Sequence, residues 1–184
     1  MASGSVSKLT FHVTFENGRS IRQTFAKMPD ETLEHVLLKL LAFLLFYSED
    51  LLVEQAVDRQ TFQPDLVRLD PQNNQPLLWI DCGIIKQDKL LKICQKNRRC
   101  AVYIMQYPLR RLETYIASFN KRETPLLEPA CGVTFDDGFL ESLGESVRGN
   151  NEVQIIQREP QRFFSMIVND QMLETDIHLR RFTS

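Results

Sequence analysis

Cysteine is scarce and unpatterned in this sequence: 184 residues contain four, at Cys82, Cys94, Cys100 and Cys131. None belongs to a CxxC pair and the spacing is irregular, which argues against a structural zinc site and a disulfide framework. They read as small buried thiols in a reducing compartment. Neither sign of charge dominates: 22 Lys and Arg face 24 Asp and Glu, a net of −2. A protein-wide footprint for nucleic acid is therefore missing, although a local basic groove stays open to it. Long apolar runs are missing too. The longest, LLKLLAFLLFY, is too short to span a bilayer and is interrupted by Lys39. The opening MASGSVSKLTFHV has no hydrophobic segment after a basic start, so no signal peptide is expected, and the expectation is a cytoplasmic protein with no membrane partner. There is no repeat, no low-complexity tract and no linker, and glycine (7) and proline (8) are few.

What is present is an ordinary globular composition, 43% hydrophobic and 25% charged. The length fits a single domain, 1–184, with a sizeable core. Leu9–Phe15 alternates apolar and polar, breaks at Glu16-Asn17-Gly18 and resumes toward Phe25, a hairpin signal over residues 7–26. Pro29-Asp30-Glu31-Thr32 opens the strongest helix. Leu33, Val36, Leu37, Leu40, Leu41 and Leu44 carry it to about Tyr47, with apolar neighbours nearly all round, so it packs on more than one side.

Three strands are expected next, at Leu51–Val57, Asp65–Leu69 and Leu77–Asp81, with turn residues from Asp70 to Pro76 between the last two. Leu77–Asp81 does not alternate, so both of its faces should be covered. Gly83 breaks it. A helix over Lys86–Asn97 and a strand over Cys100–Met105 follow. Short turns make the three strands an antiparallel meander, and the second helix supplies a crossover to a parallel neighbour. The result is an α/β protein with a mixed sheet and an αβββαβ core over 29–107, preceded by the hairpin and followed by a carboxy-terminal α+β extension over 108–184. In that extension Leu109–Phe119 and Phe139–Val147 read as helices. Glu152–Glu159 and Phe163–Val168 read as strands joined around Pro160, and Leu173–Phe182 does not declare itself.

The meander has a chemical consequence. Asp65 begins the strand whose partner Asp81 finishes, so a hairpin around Pro71–Gln75 sets both carboxylates at one end of the sheet. Two adjacent carboxylates repel unless a divalent cation lies between them or one takes a proton. Glu31 and Glu34 start the preceding helix, and Glu34 shares a stripe with Leu37 and Leu41, where an acid needs a partner. Each residue also has a plainer role available: Asp81 as a strand terminus, Glu31 as a first-turn acid facing the helix dipole, and Lys89 and Lys92 of the following helix as solvated lysines. His12, His35 and His178 sit on different elements and form no cluster, so a histidine site is not expected and a hydrolase built on Cys82 lacks a base. The single Trp79 reads as core, and Lys96-Asn97-Arg98-Arg99 as a solvated helix end.

Acid on a helix, then Pro64-Asp65, then an apolar strand ending in Asp81 resembles the PD-(D/E)XK nuclease core, of restriction-endonuclease-like architecture. That resemblance implies Mg2+ (or Mn2+) held by Asp65, Asp81 and Glu34 or Glu31. It also implies a lysine two residues after the second acid, and Gly83 stands there. The nearest lysines are Lys86, Lys89 and Lys92. A lysine from the first turns of that helix reaches roughly 6 Å along its stem. Two segments carry a narrower resemblance. MPDETLEHVLLKLLAFLLFY resembles the MPSET-x-E-R-x-x-x-RLLA segment of the YaeQ family, and WIDCGIIKQDKLLKIC its WI-D/E-x-G-x-P-D-x-K/R-R-x-K-K-A-C segment. The likeness runs from about Phe25 to Tyr107, and the family looks like a compact PD-(D/E)XK variant with a displaced lysine. Here His35 and Lys39 replace two family arginines, and Ile85-Lys86 replaces Pro-Asp. The resemblance implies Mg2+-dependent cleavage or processing of nucleic acid; the alternative is an inactive nuclease fold kept as a binding or regulatory module.

Overall fold

The computed structural model describes residues 7–120, 130–159 and 161–182. The expected join at Pro160 lies outside them. The hairpin forms as β1 (Ser7–Thr14) and β2 (Ser20–Lys27), paired antiparallel from Ser7 opposite Lys27 to Thr14 opposite Ser20. Gly18, at φ +78°, supplies the left-handed turn residue that only glycine adopts cheaply. Phe11 and Val13 point inward while His12 between them is exposed, the period-two pattern of a half-buried strand.

Helix α1 spans Leu33–Phe46, capped by the Thr32 hydroxyl, which accepts from the His35 N–H at 3.2 Å. Pro29 and Asp30 thus precede the helix in a turn closed by the Glu31 N–H on Met28 O. Every residue from Val36 to Leu45 is buried. The sheet explains how. Ten strands run β2-β1-β8-β9-β10-β7-β6-β5-β4-β3, and α1 packs against β2 at one edge and against β3, β4, β5 and β6 toward the other. The sheet curls around the helix. One core cluster joins α1 to Phe11, Phe25, Leu66, Ile80, Phe135, Phe164 and Met166.

The expected meander is β3 (Leu51–Val53), β4 (Leu66–Leu69) and β5 (Pro76–Cys82), antiparallel throughout. β3 stops early because Glu54 turns to φ +50° and donates its N–H to Asp65 O. Helix α2 (Gln87–Lys96) crosses to β6 (Ala101–Met105), parallel to β5. Helix α3 (Leu109–Asn120) crosses in turn to β7 (Cys131–Phe135), also parallel. α2 and α3 cover the outer face: Trp79, Val67, Leu90, Ile93, Leu112, Ile116 and Phe182 form a second cluster there. Trp79 is core, as expected.

Helix α4 (Phe139–Ser146) and strands β8 (Asn150–Glu159), β9 (Phe163–Val168) and β10 (Gln171–Arg181) complete the chain. Two features differ from the sequence reading. β7 was not among the expected strands, and the carboxy-terminal strands are no appendage. β8 lies parallel to β1 and β10 antiparallel to β7, so they join the hairpin to the meander in one mixed sheet. No described helix is long and apolar enough to cross a membrane.

Candidate functional site

The carboxyl ends of β5 and β6 and the beginning of β4 meet at one rim of the sheet. Leu66 lies opposite Ile80, and the Asp65 N–H donates to Ile80 O at 3.1 Å. One residue further along this antiparallel register Asp65 faces Asp81. The two acids are neighbours at the same rim, as the hairpin requires.

Their environments differ. Asp65 is one-fifth exposed; its Oδ2 accepts the Cys82 N–H at 2.7 Å and its Oδ1 faces His35 Nε2 at 3.3 Å. Asp81 is 1% exposed. Lys89 Nζ stands 2.9 Å from Asp81 Oδ2, but off the line of a hydrogen bond, so neither buried oxygen has an aligned donor among the described residues. Burial pushes the Asp81 carboxyl above the usual carboxylate range; Lys89 pulls against the rise and the neighbouring Asp65 adds to it. The ion pair is therefore an incomplete repayment for burying a charge.

Two more basic residues and a third acid extend this cluster. Glu31, His35 and Lys39 are spaced four apart along α1 and the turn before it. Lys39, 1% exposed, reaches Glu31 Oε1 at 2.7 Å and also binds Glu54. Burial works against its charge, but the hydrogen bonds to Glu31 and Glu54 outweigh that, and its pKa ends above the ordinary lysine value. His35 Nε2 sits between Asp65 and Glu31, 3.5 Å from Glu31 Oε1. The hydrogen bond to Asp65 raises the His35 pKa, burial opposes it, and the charges of Asp65 and Glu31 add to the rise.

Gly83, where the sequence expectation looks for a lysine, adopts φ +74°, and a Cβ there would stand 3.2 Å from His35 Nδ1. Any side chain at that position meets strained backbone and the imidazole together. The cation beside Asp81 is Lys89 of α2.

The rim thus brings together Glu31, Asp65, Asp81 and Lys89 of the expected residues. It does not bring in the others by any contact. Glu34 pairs with Arg111 at 2.5 Å. Lys86 is the exposed residue before α2 and Lys92 is exposed along it; neither is ion-paired to Asp65, Asp81 or Glu31. His35, Lys39 and Glu54 are not among the residues the sequence points to, because the three histidines lie on different elements and form no cluster. Their visible signal is the polar stripe Glu31, His35, Lys39 in an otherwise apolar helix. Cys82, at 3% exposure, has its thiol pushed well above the ordinary value by burial, with Asp65 and Asp81 adding to it. It stays protonated and is no nucleophile.

Asp65 and Asp81 offer hard oxygen donors of the kind a divalent ion takes, with Lys89 Nζ already 2.9 Å from Asp81 Oδ2. Among the described residues no group of three or more His, Cys, Asp or Glu is arranged to hold one. Mg2+ commonly takes only one or two carboxylates and completes its shell with water and substrate phosphate, so a pair of adjacent carboxylates is a donor set of the kind that ion uses.

Known proteins place the chain. Among curated proteins none matches it. The solved YaeQ protein of Pseudomonas syringae is similar at 22% identity and a TM-score of 0.69, covering 97% of this chain and 97% of that one. The YaeQ protein of Xanthomonas axonopodis pv. citri is similar at 18% identity and a TM-score of 0.68, covering 96% of this chain and 98% of that one. At these identities the likeness shows a shared mixed α/β fold. A family model described as YaeQ protein matches residues 12–174. The chain belongs to the YaeQ family.

Proposed function

We propose that this protein is a Mg2+-dependent phosphodiester hydrolase acting on nucleic acid, a PD-(D/E)XK variant whose lysine is Lys89. The observation that carries this reading is Asp81: a carboxylate 1% exposed, beside Asp65, with no aligned donor on either oxygen. Asp65 and Asp81 would hold the ion, with Glu31 as the third acid of the rim. Bound there, Mg2+ or Mn2+ supplies Lewis acidity and lowers the pKa of a bound water. Cys82 N–H and His35 fix the orientation of Asp65, and Lys39 fixes Glu31. Lys89, one-quarter exposed, has the freedom to leave Asp81 for a phosphate oxygen and offset the charge that develops on it.

A second reading, an inactive nuclease fold serving as a binding or regulatory module, draws on a specific observation. Each acid of the rim already faces a cation of the chain: Glu31 and Glu54 face Lys39, Asp65 faces His35, Asp81 faces Lys89. Calorimetric titration with Mg2+ and Mn2+ at millimolar concentration separates the two. Heat of binding that disappears in Asp81→Asn, together with metal-dependent cleavage of plasmid, single-stranded DNA or RNA that the same variant loses, supports the hydrolase. No binding by the folded protein supports the module. Cleavage undiminished in Asp81→Asn rules this rim out as its source.

A further inference from the structure

Beside the acid rim, on the outer face, the chain leaving β5 and β6 and one side of α3, from Arg110 to Ser118, line an open, shallow groove of about 550 Å3. That is within the usual size of a site for a small ligand. It lies past the carboxyl ends of β5 and β6, the place where open α/β sheets characteristically bind ligands. Asp81 and Ile84 are three residues apart in sequence, and the Gly83 N–H between them is tied to Met105 O at 2.7 Å, next to Gln106. The groove and the acids are therefore parts of one rim.

Three features of the lining point to one chemistry. Ile84 is 75% exposed, the most exposed large hydrophobic residue described, and with Pro108 and Tyr115 it gives the groove an apolar part. Arg110 is exposed and has no ion pair with a described residue, while Arg111 keeps 39% of its side chain exposed although it binds Glu34. Gln106 is 2% exposed, and its Oε1 is buried without a partner among the described residues. A buried amide acceptor of that kind is costly to leave unmet, and an amide carries both the donor and the acceptor that a base edge presents. Guanidinium groups at the mouth match phosphate.

We infer that this groove seats an unpaired nucleotide of a single-stranded nucleic acid, its base between Ile84, Pro108 and Tyr115, its edge on Gln106 and its phosphate on Arg110 and Arg111. A base in a duplex has its pairing edge engaged and cannot reach a buried amide without leaving the stack. The inference deepens the proposed function by naming its substrate class, and rests on that reading for its biological sense.

Binding is measured by fluorescence anisotropy of a labelled oligothymidylate, single-stranded or annealed to its complement, in EDTA with the full-length protein. Ile84→Ser and Arg110→Ala alter exposed side chains, and urea unfolding verifies that both variants remain folded. The single strand is expected to bind more tightly than the duplex, and each variant to weaken it by roughly fivefold or more, on the scale of one stacked base or one phosphate contact. Arg110→Ala should also reduce the salt slope by about one. No binding of the single strand, equal binding of the duplex, or affinity unchanged in both variants overturns the inference. Because no divalent ion is present, absence of metal binding or of cleavage leaves these affinities untouched, so either proposal can fail alone.

Discussion

Replacing Gly83 with alanine tests the coupling between the strand end and the imidazole. The backbone at φ +74° costs an L-residue about 1–2 kcal/mol. The new Cβ would lie 3.2 Å from His35 Nδ1, so the ring must yield, and its Nε2 already stands 3.3 Å from Asp65 Oδ1. A hydrogen bond to a charged group contributes about 1.5–3 kcal/mol; weakening it in part adds ~1 kcal/mol. The expected loss is then roughly 2–3 kcal/mol at low pH. Its pH dependence has a definite sign. The folded pKa of His35 is raised, so its contribution is fully present below the unfolded value of ~6.5 and is lost as pH rises through the folded value. Gly83→Ala should therefore cost more at about pH 5 than at about pH 9, where only the backbone strain remains. Urea unfolding followed by far-UV circular dichroism measures both. A loss below about 0.5 kcal/mol, within the range of a surface change, refutes the strain. An equal loss at both pH values refutes the part assigned to His35.

Asp81→Asn removes a carboxyl whose folded pKa burial has raised. The stability attached to such a group is present below the unfolded pKa and lost as pH rises through the folded one. The variant should thus be at least as stable as the parent at neutral pH, by ~0.5–2 kcal/mol, a gain typical of relieving a functional strain; a destabilised variant in urea unfolding contradicts this. Lys39→Met strips Glu31 and Glu54 of their shared cation. Breaking a buried pair costs about 3–5 kcal/mol, and Glu54, 42% exposed, recovers part of it in water, so a loss of ~2–4 kcal/mol is expected from chemical denaturation. Gly132→Ala would set a Cβ 2.5 Å from Leu112 Cδ1 where α3 meets β7; overpacking of this kind costs about 1–3 kcal/mol, visible as a lowered urea midpoint with unchanged slope.

Much of the fold is legible because its signals are local. Asn17-Gly18 announces the hairpin, the leucine steps of α1 announce a helix buried on several sides, and short turns dictate the meander. β7 escaped because Cys131–Phe135 is only five residues long and its partners are β6 and β10, neither of them adjacent in sequence. The placing of β8 between β1 and β9 is likewise set by tertiary pairing that no local pattern encodes. In the candidate site, the adjacency of Asp65 and Asp81 follows from strand direction alone, while reach leaves Lys86, Lys89 and Lys92 as alternatives, of which Lys89 meets Asp81. Glu31 and Glu34 are separable only by seeing which side of α1 faces the rim: Glu34 turns to Arg111 instead. His35 and Lys39 escape a sequence reading because the acids that meet them, Asp65 and Glu54, come from segments distant along the chain.

The curled sheet also sets an order of events for the growing polypeptide. Its last three strands fill the third, fourth and fifth places of the ten. Until they leave the ribosome, the first hairpin has no further strand beside β1 and nothing joins it to the meander. A chain halted short of residue 150 is thus no smaller working version of the protein. It is two disconnected half-sheets with bare pairing edges and an oily helix between them, a species prone to self-association and a ready client for chaperones and proteases.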